Sequence, residues 1–142
     1  MLQPQQASPA LMHRFLGLGV TFVAVVFLGL RQMGMGPLLA EGESTPAITW
    51  ALKGGTILLA AIALLVLRPR VPRAQPGQTP TQFWATPANA QAAQLFWFVL
   101  EAACIIASIG FLMTGDRFLG ATMVAMVFIF WLNGPARFQQ PA

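Results

Sequence analysis

The sequence predicts an all-α integral membrane protein: four transmembrane helices in an antiparallel bundle, with both termini on the cytoplasmic side. Three observations carry that fold class. Charged residues make up 8% of the chain, against about 25% in a soluble domain. Hydrophobic residues make up 56% of it and gather into four long runs. Each run ends at Gly or Pro punctuation that stops a helix. These features exclude a soluble globular enzyme and a disordered chain. The net charge of +4 gives a high isoelectric point only because few groups titrate. It forms no dense basic face, so no nucleic-acid partner is expected. With 142 residues, one membrane domain is expected.

A spanning helix takes about 20 apolar residues. The first run, Phe15 to Leu30, holds Thr21 as its only polar residue. It reaches spanning length as a helix over 14–33 if Arg31 snorkels toward the headgroups. A cleaved leader would also begin with basic residues and an apolar stretch. Met33 to Ala40 offers no clean small-x-small site, so the run is expected to stay as a span. The second run, Ala47 to Leu67, contains Lys53 and predicts a helix over 46–67. The third, Leu95 to Met113, contains Glu101 and predicts a helix over 87–113. The fourth, Phe118 to Leu132, extends to 116–133 with Asp116, Arg117 and Asn133.

The boundaries supply caps. Thr45-Pro46 and Thr86-Pro87 put a capping hydroxyl before a proline at the first helical position, where the missing N–H costs nothing. Asp116 is placed to cap the fourth helix and to favour its positive end. Stops stand at Gly34, Gly36 and Pro37, at Arg68-Pro69, at Gly115 and at Gly134-Pro135.

Orientation follows from the loop over 68–86. It carries Arg68, Arg70 and Arg73 with no acidic residue, and the positive-inside rule makes it cytoplasmic. Arg14 and Arg137 fall on that side, and Glu41 and Glu43 on the other. Arg31 is the exception. Trp84, Trp97 and Trp131 are expected at the inner interface and Trp50 at the outer one. The loop is rich in Pro, Gln, Thr and Ala and reads as a linker, with Phe83-Trp84 suited to a membrane surface. The N-terminal Gln-Pro-Gln-Gln-Ala-Ser-Pro and the C-terminal Gln-Gln-Pro-Ala read as frayed tails. Arg14-Phe15-Leu16-Gly17 recurs as Arg117-Phe118-Leu119-Gly120. The match joins the wrong helices and opposite sides for a duplicated hairpin, so it reads as chance.

Lys53 and Glu101 are the chemically sharpest residues, because a charge at membrane depth costs about 2.5–3.5 kcal/mol and faces protein or water. Their Cα atoms differ in depth by about 10 Å at a 1.5 Å rise per residue, a gap the lysine stem can largely cover. Gln94, Glu101 and Ser108 are seven apart and share one helix face, with Trp97 and Cys104 beside it. Thr49, Lys53 and Thr56 share a face of the second helix. Three readings stand: Lys53 and Glu101 neutralise each other and fix the bundle's register, or they form a proton or ion relay, or each meets a partner subunit.

Other features carry less. The small-residue rows Ala47, Ala51 and Gly55, Ala103 and Ala107, and Ala121 and Ala125 suit close helix packing in lipid. His13, the sole histidine, reads as an interfacial polar residue beside a flexible tail. The single cysteine, Cys104, reads as an inert core thiol. No catalytic set, metal-ligand cluster or phosphate loop stands out, so no enzymatic activity, cofactor or metal is expected. The leading expectation is a non-enzymatic accessory or scaffold subunit of a larger bacterial-type inner-membrane complex. Its partners would be the lipid bilayer and other membrane subunits or a second copy of itself. The alternative is a small homo-oligomeric transporter or channel with Glu101 as the coupling carboxylate.

Overall fold

A computed structural model of the protein describes residues 8–39, 42 and 45–140. Glu41 and Glu43, set opposite the arginine loop in the orientation argument, lie outside those residues. All regular structure among the described residues is helical. Helix α1 spans Pro9–Gln32, and α2 spans Thr45–Ala61. The latter continues as a π-helical segment, Ile62–Leu67, and a 3-10 turn, Arg68–Arg70. Short α3 (Pro80–Ala85) precedes α4 (Pro87–Thr114), α5 (Arg117–Leu132) and short α6 (Pro135–Phe138). Three helical stretches, Pro9–Gln32, Thr45–Arg70 and Pro87–Thr114, are long and apolar enough to cross a membrane, while α5 is shorter.

Ser or Thr followed by Pro opens several of these helices. The Ser8 hydroxyl accepts from the Leu11 N–H at 3.2 Å and starts α1 six residues before the first apolar run. Thr79 and Gln82 cap α3 reciprocally, each side chain accepting the other's backbone N–H. Two expected caps differ in detail. Thr86 precedes α4 without a capping bond from its side chain. Thr45 is the first residue inside α2 rather than its cap, and its hydroxyl accepts from the Gly42 N–H.

Helix α4 is the hub, packing against α1, α2 and α5. Its inward face contributes Phe96, Trp97, Leu100, Ala103, Cys104 and Ala107, all inaccessible to solvent. Of the three small-residue rows, only Ala103 and Ala107 are buried. Ala47, Ala51, Ala121 and Ala125 lie on exposed faces. The wide apolar exterior, with Phe15, Phe22, Trp50, Leu65 and Phe128 at 66–75% exposed, fits a hydrocarbon surround better than water.

The loop over 68–86 is more than a linker. Val71, Ala74 and Phe83 enter the core, and the Ala74 N–H donates to the Phe138 carbonyl at 2.9 Å. Loop and α6 thereby close one end of the bundle together.

Candidate functional site

The structure separates the two predicted charges. Lys53 Nζ donates to Asp116 Oδ2 at 2.7 Å, not to Glu101. Lys53 lies about 12 Å along α2 from Thr45 at a 1.5 Å rise, and its stem carries the ammonium back toward that end. There it also sits over the rings of Trp50 and Phe118, 5.1 and 5.5 Å from their centroids. Asp116 has two roles at once. It receives Lys53, and its Oδ1 accepts the Leu119 N–H at 3.1 Å as the N-cap of α5. Partial burial pushes the Asp116 carboxyl up. The Lys53 hydrogen bond, the Leu119 N–H, the Lys53 charge and the Phe118 N–H outweigh this, so the group titrates below its ordinary value.

The other predicted polar residues do not join that pair. Thr49 Oγ1 donates to the Thr45 carbonyl at 2.8 Å, and Ser108 Oγ to the Cys104 carbonyl at 2.8 Å. Both bonds stay within their own helix, as hydroxyls in apolar helices commonly do. Thr56 is buried with no partner for Oγ1. Gln94 borders a cleft of about 460 Å³ with Met12, Trp84 and Gln91. Glu101 is half-buried and has no hydrogen bond or ion pair among the described residues. By helical spacing it flanks the outward stripe of α4 formed by Phe98, Ile105 and Ile109, which are 37–50% exposed.

No family model, curated protein or solved structure matches this chain.

Arg31, the exception to the charge rule, caps a helix. Its Nη2 donates to the Phe111 and Leu112 carbonyls at 2.9 and 3.2 Å, and its Nη1 to the Met35 carbonyl at 3.1 Å. The first two belong to the last turn of α4, where orphan carbonyls and the negative end of the helix dipole favour a cation. Gly115 makes room for this. It terminates α4 at φ 69, and a Cβ there would stand 2.7 Å from Arg31 Nη2. Gly115→Ala should therefore lower thermal stability twice over, by about 1–2 kcal/mol from left-handed backbone strain and further by displacing Arg31. In an Arg31→Met background only the backbone part should remain. Equal losses in both backgrounds would show that the guanidinium does not occupy that space.

At the opposite end lies a cluster that periodicity alone does not reveal. His13, expected beside a flexible tail, lies inside α1 and is 3% exposed. Its ring stacks on Phe130 at 4.7 Å and meets Trp97 at 4.9 Å and Trp131 at 5.7 Å. Nε2 lies 3.1 Å from the Phe130 carbonyl, which can only accept, so this nitrogen carries a proton. Trp97 Nε1 donates to the Asn133 carbonyl at 2.8 Å, and Trp131 Nε1 to Thr21 Oγ1 at 2.9 Å. Trp97, expected near the inner interface, is wholly buried within the bundle. The Ser8-Pro9 start was the available signal, since it places His13 inside α1.

Proposed function

We propose that the chain is a non-enzymatic accessory or scaffold subunit of a larger membrane complex, and that Glu101 meets a partner subunit. The observation that carries this is the isolation of Glu101. A carboxylate beside an exposed apolar stripe, on a helix long enough to span, is costly against lipid and is resolved by a partner. Lys53, the partner expected from depth and sign, is already engaged by Asp116. The fixed aromatic core and the hydroxyls bonded within their helices suit a scaffold more than a moving carrier.

The finer reading places four spans with both termini cytoplasmic, in a bacterial inner membrane. It is supported by the packing of α5 along α4, from Leu119 against Gly110 at one end to Asn133 bonded to Trp97 at the other. It is also supported by the gathering of Arg68, Arg70, Arg73 and Arg137 at one end. Reporter fusions at residues 77 and 142 should both report cytoplasmic; an external signal at 77 would reverse the orientation.

Affinity purification in mild detergent tests the subunit reading. The tagged chain should co-purify with the same larger membrane chains in repeated preparations. Glu101→Ala should release them while leaving the isolated chain's melting temperature unchanged or raised, since no internal partner is lost. Purification as a lone homo-oligomer, with Glu101→Gln folded but inactive in coupled transport, would favour the carrier reading instead.

A further inference from the structure

Three arginines from two separate segments line one cavity of about 480 Å³. Arg68 opens the 3-10 turn that follows the π-helical segment and Arg73 comes from the loop after it; Arg137 comes from α6. Val71 and Phe138, each 4% exposed, anchor the two segments, and the Ala74 to Phe138 hydrogen bond ties them at 2.9 Å. The cluster is thus held together by packing. None of the three guanidinium groups has an ion pair or hydrogen bond among the described residues. The described carboxylates lie elsewhere, Asp116 at the other end of the bundle and Glu101 along α4. Gathering like charges without an internal counter-charge is unfavourable, and an anion relieves it. Guanidinium forks match phosphate oxygens in bidentate geometry. The remaining wall includes Leu64, which belongs to the membrane-length stretch Thr45–Arg70. The site therefore offers cationic forks beside an apolar surface at the end of a span.

We propose that this cavity binds the phosphate headgroup of an anionic phospholipid, with an acyl chain along Leu64. A basic pocket between helix ends, at headgroup depth, is suited to that ligand. The inference requires the chain to lie in a bilayer but not that Glu101 meet a partner, so either can fail alone.

The test is equilibrium binding of a fluorescent phosphatidylglycerol to the full chain in neutral detergent micelles. Diffuse attraction alone is worth about 1 kcal/mol, or about fivefold in affinity, for each arginine near a charged surface. Arg68→Gln, Arg73→Gln and Arg137→Gln should each weaken binding by at least about tenfold, the excess being lost bidentate contact. Arg70→Gln, an equal charge change just outside the cavity, should cost no more than about fivefold. Arg137→Lys keeps the charge and spares the fold. It should still bind several-fold more weakly, because an ammonium cannot fork. Equal losses for Arg70→Gln and Arg137→Gln would reduce the effect to surface charge and overturn the site. Equal binding of a phosphatidylcholine probe would overturn the anion requirement. Inorganic phosphate displacing the probe as well as unlabelled phosphatidylglycerol does would make a free anion the ligand and overturn the lipid assignment.

Discussion

Trp97→Ala should be the most damaging single substitution outside the backbone glycines. Trp97 is completely buried and contacts the rings of His13, Trp84 and Phe138. Its indole N–H also fixes the Asn133 carbonyl, where α5 ends. Truncation of a buried Trp costs about 3–5 kcal/mol in water-soluble cores. In lipid the transfer part shrinks, but the cavity and lost-contact parts remain, because helix association there rests on packing. A loss of at least about 2 kcal/mol is expected. Trp97→Phe keeps most of the volume and should lose about 1 kcal/mol through the hydrogen bond. Trp50→Ala is the matched control. Trp50 is 71% exposed, and its one ring contact among the described residues is with Lys53, so less than about 1 kcal/mol should go. The measurement is thermal unfolding in detergent. Similar losses at Trp50 and Trp97 would mean that the aromatic cluster does not organise this end.

The second large effect is expected at Lys53 and Asp116. Breaking a fully buried pair costs about 3–5 kcal/mol. These side chains retain 18% and 22% exposure, so about 1–2 kcal/mol is expected for either charge removal. Asp116→Asn retains an oxygen that can cap α5 and should lose only the charge. Asp116→Ala should lose about 1 kcal/mol more, the worth of the cap. Lys53→Met combined with Asp116→Asn should recover much of the single losses, with a coupling of at least about 1 kcal/mol. The same cycle between Lys53 and Glu101 should be additive. Strict additivity at Lys53 and Asp116 would refute the pairing. Acid should reproduce the effect. Because the folded Asp116 titrates below its ordinary value, the pair's contribution is complete above that value. It is lost as pH falls through the lower folded one. Asp116→Asn should flatten that part of the stability profile.

Helix ends were legible because they are local. Gly115 stops α4 and Asp116 caps α5 at the positions their chemistry implies. The sequence also contained more of this grammar than the four apolar runs suggest. Ser8-Pro9, Thr79-Pro80 and Gly134-Pro135 each open a helix, and two of these helices are too short to leave a hydropathy signal. The identity of partners was less legible. Spacing says which residues of one helix share a face, but not which face of another helix meets it. Lys53 and Glu101 could therefore be matched only by depth and sign. Depth itself pointed the other way, since Lys53 lies nearer the end that Asp116 occupies. The packing of His13 was hidden because the apolar run starts after it, while the helix starts before it, at Pro9.

The π-helical turn at Ile62–Leu67 changes the phase of α2. Its backbone bonds reach five residues back, as from the Arg68 N–H to the Ala63 carbonyl. Thr56 before the turn, Ala63 and Leu67 within it and Val71 beyond it all face the bundle, while Arg68 and Arg73 reach the cavity. Deleting one residue in this turn and restoring the α repeat would rotate everything beyond it by about 100° and retract it by about 1.5 Å. Thr45–Ala61 would keep its seat against α4, while the arginines would swing away from Arg137. A single in-frame codon loss here would thus act as a mechanical uncoupling, leaving the span in place and disconnecting the polar end from it.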